Sequence, residues 1–261
     1  MIEQEPPLGL TIRTPSERTA LLALLEADLV VQLSNARAWL LAVVFPLVLL
    51  FAFYGRQRGS GLGDQLFPLS TAIIGGAASL ALIGYPLRVA IDRERGVFQR
   101  LRVTPVPTWA IMTSRLLVQF VFIIAMSAVV LAAASIFANV TLVLESYALT
   151  LIAVILSAAV FLSIGQALVG LLHSPDLVNA AGRVTFVGVF ALSVFGQSDI
   201  LGGNLTGLAQ WSPAGEVATV LTASMRGTTW SSDIWWAFFA ATAYAVLFGA
   251  VGVSGFRWSI R

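Results

Sequence analysis

The chain has 261 residues, of which 58% are hydrophobic and 11% charged, with a net charge of +2 and a mean hydropathy of +0.89. A soluble core cannot bury that much apolar surface, so the composition indicates a membrane protein with several spans. The absence of cysteine and the single histidine, His173, exclude disulfides, thiol chemistry and a His-rich metal site. All 15 basic residues are arginine, and without lysine the chain cannot form the Gly-Lys-Ser/Thr motif with which an ATPase binds phosphate.

The N-terminal region predicts a tail followed by an amphipathic helix. Residues 1–13 are polar and contain proline, as is typical of a loose cytoplasmic tail. The segment Thr14-Pro15-Ser16-Glu17 has the residue types of a helix start, and leucines recur after it at helical spacing. We therefore expect residues 14–37 to form a helix at the membrane interface. The alternative is an extension of the first span without an interfacial role.

Residues 38–261 predict an all-α integral membrane domain with six transmembrane helices. The expected spans are residues 38–54, 66–87, 109–138, 147–172, 177–195 and 234–256. The glycine-rich residues 55–65 superficially resemble a phosphate-binding loop, but no strand precedes them, so a flexible turn is the simpler interpretation.

The arginines predict the topology of these spans. With the N-terminus inside, most arginines lie on the cytoplasmic side, whereas only Arg56, Arg58 and Arg226 lie outside. Arg115 falls within the third span and is expected to snorkel inward. This bias predicts cytoplasmic termini, and the complete use of arginine in place of lysine is typical of a GC-rich bacterial genome.

Residues 85–107, YPLRVAIDRERGVFQRLRVTPVP, form the most highly charged stretch and lie between the second and third spans. Charges of both signs cannot lie in hydrocarbon, so this stretch must face water. We expect a short cytoplasmic helix, ended by Pro105 and Pro107, that binds a soluble partner.

The predicted spans have no Asp or Glu near their centres, which disfavours ion-coupled transport. Their hydroxyl and amide groups favour interhelical hydrogen bonding over substrate contact. Asp92 and Glu94 form a close acidic pair, and the neighbouring arginines indicate surface salt bridges rather than catalysis. His173 is expected to be an interfacial polar residue, with pH sensing as the alternative.

Residues 197–233 are too long for a simple connector between two spans. Apolar stretches flank Trp211-Ser212-Pro213-Ala214-Gly215, which favours short re-entrant helices on the outer side, shielded by protein or by a water-filled cavity. We expect Trp211, Pro213 and Gly215 to belong to an outer gate. A disordered outer loop is the alternative.

Residues 92–106, DRERGVFQRLRVTPV, closely resemble the charged stretch that follows the second span in ABC-2 type permeases, the membrane subunits of bacterial ABC exporters. The resemblance extends to the amphipathic N-terminal helix, the proline-containing first span and the W-x-P segment at residues 211–213. Val97 stands where the family usually has threonine.

The resemblance implies a pair of six-span subunits, identical or homologous, in the bacterial plasma membrane above two cytoplasmic ATPase chains that bind ATP and magnesium. The charged stretch would be the coupling helix, which fits a groove on the ATPase. Phe98 and Leu101 would be its exposed apolar anchors, surrounded by a polar rim. The residues expected to act in coupling are Asp92, Arg93, Glu94, Arg95, Gly96, Phe98, Arg100 and Leu101.

The resulting hypothesis is a permease subunit, with no catalytic residue, cofactor or metal of its own, that exports an amphipathic or lipophilic substrate such as an antibiotic, another drug or a lipid. Its partners would be the ATPases, a second permease and membrane lipid, but no nucleic acid. One alternative is a non-transporting anchor or regulatory subunit. A membrane enzyme is the other, and it would need turnover without ATP.

Overall fold

The computed structural model describes residues 17–34, 36–60, 66–102, 108–198, 203–227 and 229–256. Every regular element in these ranges is helical, which confirms the predicted all-α fold. The helices are α1 (Glu17–Ser34), α2 (Ala36–Ser60), α3 (Phe67–Ser79), a π-helical turn (Leu80–Gly84), α4 (Tyr85–Glu94), α5 (Val97–Arg102), α6 (Thr108–Ala138), α7 (Leu144–Leu171), α8 (Pro175–Gln197), α9 (Gly203–Gln210), α10 (Pro213–Arg226) and α11 (Ser232–Gly255).

Five helical segments are long and apolar enough to cross a membrane, and they coincide with the second to sixth predicted spans. They are Phe67–Glu94, Ala110–Phe137, Leu144–Leu171, Pro175–Gln197 and Ser232–Gly255. The predicted first span lies in α2, which is helical over 25 residues with Pro46 inside it. The chain is therefore a multi-pass membrane protein. The N-terminal tail, the predicted cap at Thr14 and the prolines at 105 and 107 lie outside the described residues.

The second predicted span contains the π-helical turn, and its neighbours are shaped to fit it. A β-carbon at Gly165 of α7 would lie 2.2 Å from the Ala81 carbonyl oxygen, and one at Gly182 of α8 would lie 2.3 Å from that of Leu82. Gln119 of α6 donates from Nε2 to the Leu80 carbonyl at 3.2 Å. Because a π-turn displaces backbone carbonyls outward, glycines and an amide donor on the facing helices accommodate it.

Helices α7 and α11 pack with their backbones in contact. A β-carbon at Gly170 would lie 2.6 Å from the Gly252 carbonyl oxygen, and one at Gly255 would lie 2.9 Å from that of Gly170. Small residues allow this approach, which replaces the missing hydrophobic driving force between helices in lipid with close van der Waals packing. The largest fully buried side chains of the core are Phe98, Phe161, Leu50, Leu69, Ile73 and Ile74.

Helix α10 lies inside the helix bundle at the end opposite the charged stretch. Its last residue is followed by Gly227, at φ +65°, which lies against Ser146 at the start of α7. At its other end, the Tyr244 hydroxyl of α11 donates to the Trp211 carbonyl at 2.9 Å. Tyr244 lies about 18 Å along α11, at 1.5 Å per residue. Helix α10 thus extends from one end of the bundle to about half its depth.

Candidate coupling site and outer segment

The charged stretch consists of two helices joined by a turn at Gly96. Helix α4 ends at Glu94, and Gly96 adopts φ +69°, in the left-handed region that glycine enters without strain. The Gly96 amide donates to the Arg93 carbonyl at 3.1 Å, and α5 begins at the next residue. The single short helix predicted here is therefore wrong, because the left-handed residue interrupts it. Helix α4 continues the second predicted span, and α5 is a separate helix.

Arg115 of α6 connects α6 to both of these helices. Its guanidinium forms an ion pair with the Asp92 carboxylate at 2.5 Å, and both side chains are largely buried. The same guanidinium lies 4.7 Å from the centre of the Phe98 ring in α5, a cation–π distance. Arg115 thus fixes α5 relative to α4 through one charged group.

Two hydrogen bonds tie α1 to the same region. Ser114 of α6 donates from its hydroxyl to the Asp28 carboxylate of α1 at 2.6 Å. Arg88 of α4 donates to the side-chain oxygen of Gln32, which is buried on α1. The α1–α4–α6 polar cluster is defined by Asp28, Gln32, Arg88, Asp92, Ser114 and Arg115.

Arg93 fastens α4 to the end of α7. Its side chain is only 3% exposed, and it donates to the carbonyls of Val169, Leu172 and His173 at 3.1, 2.7 and 3.0 Å. These carbonyls lie at the C-terminus of α7, where no following turn supplies backbone donors and the helix dipole favours a cation. The Arg93 guanidinium also lies 6.0 Å from the centre of the Phe256 ring, which follows α11.

The predicted coupling residues therefore divide into an inner and an outer set. Phe98 is fully buried between Arg115 and Phe256, so the prediction that it is an exposed anchor is wrong. The prediction that Arg93 belongs to an exposed rim is also wrong, because the residue is buried and its two terminal nitrogens donate to carbonyls at the end of α7. Asp92 is paired inside, by Arg115 of another helix rather than by its neighbours in sequence.

The outer set comprises Glu94, Arg95 and Arg100, which are all exposed. Arg100 donates back to the Arg95 carbonyl at 3.4 Å, across the Gly96 turn. Two arginines and one glutamate give this surface a net positive charge. Leu101 belongs to α5, but its side chain lies outside the described part of the chain.

Sequence reasoning missed most of the polar cluster. Arg115 was expected to snorkel to water, but it pairs with Asp92 instead. The signal was present, because an arginine two turns inside a span needs a partner and Asp92 belongs to the adjacent charged stretch. Nothing in the sequence pairs Asp28 with Ser114, since that contact depends on how α1 lies against α6.

The outer segment forms a tight corner between α9 and α10. Ser212 caps α10 by accepting a hydrogen bond from the Gly215 amide at 3.1 Å, and Pro213 occupies the first helical turn. A β-carbon at Gly215 would lie 2.2 Å from the Ala209 carbonyl oxygen, so only glycine fits there. Trp211, the third predicted gate residue, is 67% exposed at this corner.

These features define a multi-pass helical membrane protein in which charged side chains join helices α1, α4, α6 and α7 at the end of the bundle that carries the charged turn. The sequence matches the family model of the ABC-2 type transporter over residues 19–214. Because that match covers most of the chain, the protein belongs to the ABC-2 type transporter family, as its charged stretch predicted. A search of curated proteins finds no match to the chain.

Family membership makes the chain the permease component of an ABC transporter. It is the transmembrane component and not the ATPase, and permease domains of this family generally pair with ABC ATPase subunits. The matched region ends within the first turn of α10, so most of α10 and all of α11 lie beyond it.

Proposed function

We propose that the chain is the permease subunit of an ATP-driven exporter for amphipathic or lipophilic substrates, in a bacterial plasma membrane with both termini cytoplasmic. Six spans fit this assignment if α2 is the first. Its apolar part, residues 38–54, has a length at the lower end of the range of about 17–25 residues that crosses a bilayer. Two ATPase chains would bind ATP and magnesium on the cytoplasmic side, and a second permease, identical or homologous, would complete the path.

The observation that carries the proposal is the set of contacts that join the charged turn to the rest of the bundle. Arg93 ties α4 to α7, and the Asp92–Arg115 pair ties it to α6. A force applied at the turn is passed to several spans at once, because packed helices move as bodies rather than deforming continuously. That is the property needed of a coupling element.

The exposed residues Glu94, Arg95 and Arg100 are proposed to contact the ATPase. The buried residues Asp92, Arg93 and Phe98 are proposed to hold the charged turn against the neighbouring helices. The net positive charge of this surface suits an acidic groove. Phe98 acts indirectly, by holding α5 against Arg115 and Phe256. Gly96 is proposed to form the turn, and Leu101 is proposed to act as part of α5, the helix that this turn positions.

Helix α1 is proposed to lie at the inner membrane surface beside this site. Leu22 and Leu33 are exposed on one face, whereas Ala20 and Gln32 are buried against the bundle on another. An apolar face with no protein partner in the described part of the chain suits insertion at the lipid boundary. Movement of the charged turn would then also reach α1 through Arg88 and Gln32.

On the opposite side of the membrane, α9 and α10 are proposed to form a re-entrant outer gate around Trp211, Pro213 and Gly215. The corner at Gly215 leaves no space for a side chain, so α9 and α10 are held together as one unit. Such a unit can plug the outer half of a path and be displaced as a whole.

The test is copurification of the complex from its native host in mild detergent, with Arg95→Glu/Arg100→Glu as the decisive variant. Wild-type protein should bring along a Walker-motif ATPase in about equal amount. Reversal of two exposed charges should reduce ATPase recovery about tenfold or more, without changing thermal stability.

Arg226→Glu, which reverses an exposed arginine in the last turn of α10 at the opposite end of the bundle, is the matched control and should copurify normally. Recovery of no ATPase from wild type, while chemical crosslinking shows that other complexes survive the detergent, would favour the non-transporting anchor instead.

A further inference from the structure

A cavity of about 530 Å³ lies between the α9–α10 corner and the first turns of α11. Its volume falls within the range of about 300–1,000 Å³ that is typical of small-molecule sites. Its polar and aromatic lining consists of Gln210, Trp211, Glu216, Thr219, Asp233 and Trp236. Among the described residues, the lining thus contains two carboxylates and two indole rings and no basic side chain.

Glu216 is the unusual member of this lining. Its side chain is only 7% exposed, in the buried face of α10. In the part of the chain that the structure describes, its carboxylate receives neither a hydrogen bond nor an ion pair. Burial raises the pKa of Glu216. Its position in the first turn of α10 lets the helix dipole offset part of the cost of this burial, and its retention beside a cavity points to a ligand that supplies positive charge.

The other lining residues narrow the chemistry of that ligand. Trp211 and Trp236 are both exposed at the cavity, and indole is the best aromatic partner for an organic cation. A metal ion is a poor fit, because no group of three metal-binding side chains comes together among the described residues. Carboxylate, indole and apolar surface together match an organic ammonium or phosphonium ion with apolar substituents.

The location of the cavity connects this chemistry with transport. Asp233 lies in the first turn of α11, at the outer end of the bundle. Trp211 lies at about half the depth of the bundle, because its carbonyl accepts the hydrogen bond from Tyr244. The cavity therefore covers the outer half of the bundle, on the side opposite the charged turn.

We propose that this cavity binds lipophilic organic cations on their way out, with Glu216 as the charge partner and Trp211 and Trp236 as the aromatic walls. The transport role rests on the proposed exporter function, whereas the binding of a cation can be measured without it. Cationic amphiphiles would then be the substrate class, and lipophilic anions would be excluded by the two carboxylates.

The experiment compares two probes of the same shape and opposite charge, tetraphenylphosphonium and tetraphenylborate, by equilibrium dialysis against the purified full-length chain, with empty micelles as the blank. Wild type should bind the phosphonium at least about tenfold more tightly than the borate. Glu216→Gln should weaken phosphonium binding about tenfold or more. Glu145→Gln, an exposed acid in the first turn of α7 at the same end of the bundle, is the matched control and should change nothing.

Equal binding of the two probes, or undiminished phosphonium binding by Glu216→Gln, would overturn the proposal. Should Glu216→Gln fail to run as a single species in gel filtration, Trp236→Leu decides, because this exposed ring can be replaced without loss of core packing. That variant should bind the phosphonium severalfold more weakly, and unchanged affinity would again overturn the site. Phosphonium binding without ATPase copurification would reject the exporter function and support the cation site. ATPase copurification without phosphonium binding would support the exporter function and reject the cation site.

Discussion

The two ends of the helix bundle differ in whether the described residues supply a partner for a buried charged group. At the charged turn, Arg93 and Arg115 are buried, and each has partners within the chain: three carbonyls at and just after the C-terminus of α7 for Arg93, and the Asp92 carboxylate for Arg115. At the outer end, Glu216 is buried to a similar degree and has no partner among the described residues. A paired buried charge holds helices in a fixed arrangement, whereas an unpaired one remains available to a ligand.

This difference separates two tasks within one chain. The paired charges link α1, α4, α6 and α7, so that the proposed contact with the ATPase moves these helices together. The unpaired carboxylate lies beside a cavity between α10 and α11, where the proposed cargo would bind. Substitutions that remove charge should therefore destabilise the protein at the charged turn and stabilise it at the outer end.

The largest expected effect is that of Phe98→Ala. The ring is fully buried between Arg115 and Phe256, so its removal leaves a cavity under the turn and should lower the free energy of unfolding by about 3–5 kcal/mol. Thermal unfolding in detergent measures this loss. Phe239→Ala is the control, because that ring is exposed on α11 and should have an effect of about 0.5 kcal/mol or less. Similar losses in the two variants would show that Phe98 does not support the turn.

The second expected effect comes from the charge of Arg93. Arg93→Met keeps most of the apolar volume and removes the donors to the α7 carbonyls, so it should lower the free energy of unfolding by about 2–3 kcal/mol. The control is Arg95→Met, two residues away and exposed, with an expected change within about 0.5 kcal/mol. If thermal unfolding shows the two variants to be alike, the contact of Arg93 with α7 contributes little.

How much of this arrangement could be predicted depends on the physical signal available. Hydropathy located the second to sixth spans, because a helix that crosses lipid must be apolar for most of its length. The direction in which a side chain of the charged stretch points could not be predicted from the sequence, since it depends on which helix lies beside it. Phe98 and Arg93 were expected outside for that reason, and α7, α6 and the end of α11 enclose them.

Glu216 was missed for a different reason. Residues 197–233 were expected to form short re-entrant helices, but Glu216 was given no role in them. The overlooked signal was local: Glu216 is followed by Val217, Ala218, Val220 and Leu221, and a carboxylate beside such an apolar run can be drawn into the buried face of the helix. The corner that turns α10 inward depends on Gly215 and Ser212, and its depth in the bundle depends on contacts with other helices that no local pattern encodes.

The smallest expected effect is that of Glu216→Gln, which should raise the stability of the protein rather than lower it. Burial raises the pKa of Glu216, so the ionised carboxylate is disfavoured in the folded state relative to the unfolded chain. The wild type is then most stable where the group is protonated in both states, and it loses stability as the pH rises above the unfolded pKa of about 4.3. Glu216→Gln never ionises and avoids this loss.

The variant should therefore unfold at a higher temperature than wild type at pH 8, and the difference should shrink as the pH falls through the folded-state pKa toward the unfolded one. Thermal unfolding at several pH values, with Glu145→Gln as the exposed control, measures both the sign and the slope. A saturating concentration of tetraphenylphosphonium should raise the melting temperature of wild type more than that of Glu216→Gln, because the cation supplies the missing partner. Lower stability of the variant at pH 8 would mean that the carboxylate already has a partner and that the contrast between the two ends does not hold.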